Sequence, residues 1–140
     1  MDTQPENPAA TEQGISSRSA ITGISFVSVY VDDYQTCYPF YADLLGLKKK
    51  YDMGANACFF EIGSEWGLYL EGGNDPREIT PKSSRSSFTL SVPSAGELYS
   101  RLKESGIKMV QAEPMDMGQG DFWFQFYDPS GNILEALGAE

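Results

Sequence analysis

Residues 127–138 read YDPSGNILEALG, and this stretch joins a tight turn to a short apolar strand. Asp128, Pro129 and Gly131 are residue types that favour a β-turn, because proline fixes φ and glycine readily adopts positive φ. Asp128 can also accept backbone N–H bonds within such a turn. The apolar run contains one carboxylate, Glu135. Glu135 must therefore either face solvent or point into a cavity that uses its charge.

The second half of the chain, which ends in this stretch, predicts a strand, a helix and three further strands. Phe88, Leu90 and Val92 alternate with polar residues, as in a half-buried strand. Leu98 and Leu102 then recur at helical spacing. The predicted elements are a strand at 87–92, a helix at 94–105 that Gly106 ends, and strands at 107–111, 122–127 and 132–137, with a Met- and Gly-rich loop at 112–120.

The first half of the chain repeats this order of elements. Val27, Val29 and Val31 alternate on a strand. The following helix contains Pro39, so we expect it to begin late, with Thr36 as its N-cap. The predicted elements are a strand at 24–31, a helix that Gly46 ends, and strands at 47–53, 57–62 and 66–71. The chain is therefore predicted to be an internal duplication of a β-α-β-β-β unit.

This duplication predicts a single α+β domain at 21–140. The two units are expected to span about 22–71 and 86–138, joined by a polar linker at 72–85. Residues 1–20 are polar and lack apolar periodicity, so we predict a disordered N-terminal tail. Each unit would form one sheet with a helix on one face, and the opposite face would either meet solvent or line a cleft.

The composition excludes several classes of function. Ten basic and 20 acidic residues give the 140-residue chain a net charge of -10, which disfavours nucleic acid and suits either a cationic ligand or simple solubility. The chain has no histidine, which excludes His-dependent triads and His-rich zinc sites. Cys37 and Cys58 fit no metal or disulfide spacing. Since neither a membrane span nor a signal peptide is evident, we predict a cytoplasmic protein without membrane partners.

Strand alternation also predicts which side chains point away from the helices, on what we call the cleft face. Its rings, hydroxyls and carboxylates suit a flat organic ligand. The predicted cleft-face residues are Phe26, Ser28, Tyr30, Phe59, Glu61, Tyr69, Glu71, Ser87, Thr89, Ser91, Trp123, Gln125, Tyr127 and Glu135. All of them except Glu61, Glu71 and Ser91 are predicted to contact the ligand.

Several of these residues have a simpler interpretation as well. Phe26 and Phe59 could fill the core between the sheets, and Trp123 and Tyr127 could lie at a dimer interface, where aromatic residues are enriched. The Ser and Thr hydroxyls could form an ordinary solvent face. Glu135 is the carboxylate for which a cleft position is favoured, because it lies in the middle of its strand.

Three motifs resemble the vicinal oxygen chelate family, which includes glyoxalase I, extradiol dioxygenases and bleomycin-resistance proteins. The motifs are FVSVYVDD at 26–33, FYADLLGL at 40–47 and FYDPSGNILE at 126–135, and the resemblance covers about residues 22–138. It implies a glyoxalase-like fold, in which the mixed sheets of two βαβββ units curl around a shared cleft. It also implies a homodimer, with units paired within one chain or exchanged between chains.

The same resemblance bears on metal binding. In metal-dependent members, four strand positions, usually His or Glu, supply the ligands. Matched onto this sequence they are Phe26, Ser87, Glu135 and Tyr69, or Glu71 after a shift of two residues. Phe26 has no donor atom, whereas a divalent cation usually takes several oxygen or nitrogen ligands. We therefore predict no metal and no cofactor.

Three functions follow from these observations. The first is a metal-independent binding protein that sequesters a planar aromatic or cationic compound, as bleomycin-resistance proteins do in antibiotic resistance. The second is a metal-independent isomerase, cyclase or lyase, in which Glu135 is the catalytic acid or base and Tyr30 or Tyr127 its proton partner. The third is a glyoxalase- or dioxygenase-like metalloenzyme. The missing ligand positions favour the first function.

Overall fold

The computed structural model describes residues 19–78 and 85–140. Most of the predicted tail at 1–20 and part of the predicted linker lie outside these residues. The elements are β1 (Val27–Tyr30), α1 (Tyr34–Pro39), a π-helical turn (Phe40–Leu44), β2 (Lys48–Asp52), β3 (Ala57–Ile62), β4 (Trp66–Glu71), β5 (Thr89–Ser94), α2 (Ala95–Glu104), β6 (Met115–Gly118), β7 (Asp121–Tyr127) and β8 (Ile133–Ala139). No helix in the described part of the chain is both long and apolar enough to cross a membrane.

Each unit forms a four-stranded mixed sheet of the same topology. The strand order is β1-β4-β3-β2 in the first sheet and β5-β8-β7-β6 in the second. The first strand of each unit pairs in parallel with the last strand, and the remaining pairs are antiparallel. The predicted duplication of a βαβββ unit is therefore confirmed, and β1 and β5 are equivalent edge strands.

The first helix begins earlier than the sequence predicts. α1 starts at Tyr34, directly after Asp33, so the predicted N-cap at Thr36 is wrong. Thr36 lies inside the helix, where its hydroxyl donates to the Asp33 carboxylate. Pro39 lacks an N–H and cannot donate within the helix, and the chain continues beyond it as the π-helical turn.

The second helix agrees closely with its prediction. Ser94 is the N-cap of α2, and its hydroxyl oxygen accepts a hydrogen bond from the Glu97 N–H at 3.1 Å. Leu98 and Leu102 lie on the buried side, as their helical spacing requires. Local sequence signals therefore suffice to define this helix.

The second strand of the second unit differs from its prediction. The predicted strand at 107–111 reduces to an isolated bridge between Met109 and Phe126. The regular strand β6 lies further along the chain, inside the segment predicted as a loop, and pairs with the first half of β7. The physical reason is the length of β7, whose seven residues pair with two different segments at its two ends.

One hydrophobic core joins the two units. The helix-facing positions predicted from strand alternation are buried in β3 and β7, where Phe60, Phe124 and Phe126 are at most 1% exposed. Phe40, from the π-helical turn of the first unit, packs near Phe126 of the second, with ring centroids 6.2 Å apart. The helices and both sheets therefore share a continuous apolar layer on the face opposite the cleft.

A buried carboxylate links the β7–β8 turn to the first unit. Asp128, 4% exposed, accepts a hydrogen bond from the Tyr41 hydroxyl at 2.5 Å. It also accepts the backbone N–H groups of Ser130 and Asn132 at 2.9 and 2.8 Å and the Asn132 side-chain amide at 2.9 Å. Burial and, secondarily, the Asp128 charge raise the pKa of Tyr41 well above its usual range, so its hydroxyl remains a donor. The predicted role of Asp128 in the turn is confirmed.

Candidate functional site

Five aromatic rings gather on the cleft face of the first sheet. The Phe59 ring lies at their centre, with its centroid 4.9 Å from Phe26, 5.2 Å from Tyr69 and 5.3 Å from Tyr51. Tyr30 extends the group, 6.4 Å from Tyr69. We call these five residues the aromatic cluster. Phe26, Tyr30 and Tyr51 are 44%, 51% and 48% exposed, so their rings are accessible to a ligand.

Strand register accounts for the aromatic cluster. Phe59 lies directly opposite Tyr69 in β4 and opposite Tyr51 in β2, and residues opposite each other point to the same face. Strand alternation alone does not predict Tyr51 on the cleft face, because the register of β2 shifts between Lys49 and Tyr51. Tyr51 is visible in the sequence as the aromatic residue of β2, but the sequence carries no signal for the bulge that turns it to the cleft face.

A cavity of about 460 Å³ opens beside the aromatic cluster. Phe26, Tyr51 and Phe59 line it, together with Glu61 and Trp66. This volume lies within the range of small-molecule sites, and the wall combines aromatic rings with charged groups, the carboxylates of Glu61 and Glu65 and the ammonium of Lys50. The first sheet alone therefore provides a surface on which a planar ligand can lie.

A second cavity of about 460 Å³ extends from this region to the second unit. Trp66 and Gly67 line both cavities. Thr89 and Ser91 of β5 line the far side of the second one. Val27 of β1 and Leu90 of β5 also line this cavity. The edge strands β1 and β5 therefore lie on either side of a gap, which we call the seam.

A hydroxyl–carboxylate pair lies at the edge of the aromatic cluster. The Tyr69 hydroxyl donates to Oε1 of Glu71 at 2.7 Å. This hydrogen bond, and to a lesser degree burial, raises the pKa of Tyr69 above its usual value. Tyr69 therefore remains a neutral phenol at physiological pH, with its ring held among the other aromatic residues.

The cleft face of the second sheet carries a polar network centred on Glu135. Thr89 and Gln125 lie on either side of Glu135 in the neighbouring strands. The Thr89 hydroxyl donates to one carboxylate oxygen, and the Gln125 amide donates to the other at 3.1 Å. Gln111 completes the network, since its amide donates to the Gln125 side-chain oxygen at 2.9 Å. Glu135 is therefore a partly exposed carboxylate in a fixed orientation.

The remaining predicted residues occupy varied positions. Trp123 lies opposite Leu137 in β8 and Met115 in β6 and is partly exposed. Tyr127 is only 8% exposed, and the Lys108 ammonium lies 5.8 Å from its ring centroid. Ser87 is exposed but precedes β5, and Ser28 lies opposite Tyr69 on the first sheet. Gln111 was missed, because its segment was predicted as a strand without an assigned face.

The residues at the family's ligand positions do not fit a metal ion. Phe26 packs its ring against Phe59, and Tyr69 donates to Glu71. Both oxygens of Glu135, the carboxylate of the set, accept hydrogen bonds within the sheet. No group of three Cys, Asp or Glu side chains that could hold a metal occurs in residues 19–78 and 85–140. A hydrocarbon ring therefore occupies a position where metal-dependent members need a donor.

Comparisons with solved structures support the fold. The chain is similar to lactoylglutathione lyase from Agrobacterium tumefaciens, with a TM-score of 0.62, 19% identity and coverage of 86% of this chain and 96% of that one. It is also similar to the fosfomycin resistance protein FosX from Listeria monocytogenes, with a TM-score of 0.66 and 20% identity. That match covers 86% of this chain and 95% of FosX. A third similar structure is UcmS2, with a TM-score of 0.67 and 22% identity, and the match covers 85% of this chain and 99% of UcmS2. At these identities the similarity concerns the fold alone.

Sequence comparison provides the family. No curated protein matches the sequence significantly. Residues 23–136 match the model of a family that contains the glyoxalase and bleomycin-resistance members of the predicted resemblance. The match covers both βαβββ units and all three motifs. The chain therefore belongs to the Glyoxalase/Bleomycin resistance protein/Dioxygenase superfamily.

Proposed function

We propose that this protein binds a planar aromatic compound on its cleft face without a metal ion. The aromatic cluster is the observation that carries the proposal. Five rings on one open face beside a cavity of about 460 Å³ offer stacking surface that a solvent-facing sheet does not need. A stacked ligand would also shield Phe26 and Tyr51 from water.

Glu135 has a defined role in this proposal. Its carboxylate is held by Thr89 and Gln125 and remains partly exposed, so it can accept a hydrogen bond from a ligand or lie against a positive charge. Its alternative role, as the acid or base of an isomerase, cyclase or lyase, stays a prediction. In either role Glu135 acts on a ligand whose ring is placed by the aromatic cluster.

Antibiotics are among the compounds that we include in this ligand class. Bleomycin resistance is part of the superfamily's name. We propose sequestration rather than metal-dependent conversion, because the donor set lacks what a metal-dependent reaction would require. The homodimer and the cytoplasmic location remain predictions.

Replacing Phe59 with leucine tests the proposal. Leucine keeps an apolar side chain but removes the ring at the centre of the cluster, so the dissociation constant of an aromatic ligand should rise about tenfold. The measurement is a fluorescence titration with phenylnaphthylamine, an uncharged dye, in the presence of EDTA. Phe122→Leu is the matched control, because Phe122 packs against the core on the helix-facing side. Equal affinities for wild type and Phe59→Leu would contradict the proposal.

A further inference from the structure

A small polar cavity at one end of the seam contains two arginines. Its volume is about 100 Å³. Ser28 and Tyr30 of β1 line it together with Ser87, and Arg77 and Arg85 of the linker border it. None of the described residues that line it is acidic, although the chain carries 20 Asp and Glu residues. We call it the seam cavity. The charged residues of its lining are therefore positive, whereas the whole chain has a net charge of -10.

The backbone at Arg77 is anchored to the second unit. The Arg77 N–H donates to the Ser130 carbonyl at 2.9 Å. Gly131 allows this close approach, because a Cβ at this position would lie 2.5 Å from the Arg77 carbonyl oxygen. Gly131 also has φ +92°, which disfavours other residues. The position of Arg77 beside the β7–β8 turn is therefore fixed by the fold.

The two arginine side chains beside the seam cavity are available to a ligand. Neither Arg77 nor Arg85 forms an ion pair with another residue in the described part of the chain. Asn132, also in the lining, is already committed, because its amide donates to the Tyr30 carbonyl and to Asp128, each at 2.9 Å. The guanidinium groups and nearby hydroxyls can donate several hydrogen bonds to one anion. Arginine in particular binds carboxylate and phosphate oxygens through two parallel hydrogen bonds.

We propose that the seam cavity binds the oxyanion group of an aromatic acid whose ring lies on the aromatic cluster. Tyr30 connects the two places, since it lines the cavity and its ring lies 6.4 Å from Tyr69. This inference rests on the proposed function and narrows its ligand class. A carboxylate, a sulfonate and a phosphate ester each present negatively charged oxygens that can accept hydrogen bonds from the two arginines. The negative net charge would repel such a ligand elsewhere, so the two arginines select where its anionic group binds.

Two dyes with the same ring system test this inference. Anilinonaphthalene sulfonate carries an anionic group, and phenylnaphthylamine lacks it. In the double variant Arg77→Gln, Arg85→Gln, the sulfonate dye should bind at least about tenfold more weakly, whereas the affinity for the uncharged dye should be unchanged. The charge-matched control is Arg101→Gln, Lys103→Gln in the last turn of α2, which should leave both affinities unchanged.

Other outcomes separate this inference from the proposed function. An unchanged affinity for the sulfonate dye, or equal weakening for both dyes, would overturn the anion site and leave the aromatic site standing. Equal weakening of the sulfonate dye by the α2 control would also overturn it, since general charge would then explain the effect. Failure of both dyes to bind the wild-type protein would contradict both proposals.

Discussion

Replacing Asp128 with alanine is expected to lower the free energy of unfolding by about 3 kcal/mol. The Asp128 carboxylate is 4% exposed and accepts four hydrogen bonds, two from backbone N–H groups and two from the side chains of Tyr41 and Asn132. Without it, these donors lose their partner, and the β7–β8 turn loses its hydrogen bond to Tyr41 of the first unit. Urea unfolding followed by circular dichroism measures the loss.

Tyr41→Phe provides the graded control for this prediction. It removes one of the four hydrogen bonds and keeps the aromatic packing of Tyr41, so its cost should be about 1 kcal/mol. If Asp128→Ala proves no more destabilising than Tyr41→Phe, the carboxylate does not organise the turn. The contact between the two units would then depend on the hydrophobic core and on the other hydrogen bonds of this turn, such as the one from the Asn132 amide to the Tyr30 carbonyl.

Replacing Gly138 with alanine should be comparably disruptive, at about 2–3 kcal/mol or more. A Cβ at Gly138 would lie 2.1 Å from the carbonyl oxygen of Val92, its partner in the parallel β5–β8 pair. Backbone atoms of one of the two strands would have to move. Because β5 pairs with β8 alone, this change weakens the attachment of a whole edge strand. Thermal and urea unfolding would both report the change.

Gly67→Ala is the matched control, because Gly67 also lies inside a strand. Its added Cβ would find the Phe60 carbonyl oxygen at 3.5 Å, an ordinary contact distance. We therefore expect a change of less than about 1 kcal/mol in either direction. Similar losses in the two variants would show that glycine is required in these strands for a reason other than the close approach of Val92.

Alternation along single strands predicts the cleft face well in this protein. In β3, Cys58 and Phe60 are buried under the helices, and Phe59 points to the opposite face. Thr89, Gln125 and Glu135 were likewise assigned to one face, and hydrogen bonds join them. Side chains alternate with a period of two, so a correct strand assignment fixes the face of every residue in it.

Features that depend on distant parts of the chain could not be predicted in this way. Tyr51 joins the aromatic cluster through a register shift, which leaves no periodic signal. β6 lies outside its predicted range, because β7 pairs with two segments. Arg77 and Arg85 meet β1 and the β7–β8 turn only after both units have assembled. Such long-range contacts require the three-dimensional structure.

The central claim is that the cleft face binds an aromatic ligand without a metal. The most direct test is a map of amide chemical shifts in isotope-labelled, EDTA-treated protein during titration with phenylnaphthylamine. We predict the largest changes at Phe26, directly before β1, at Phe59 in β3 and at Tyr69 in β4, with smaller changes at Thr89. Largest changes in α2, around Leu98 on the opposite face, or binding only after a divalent metal is added, would contradict the claim.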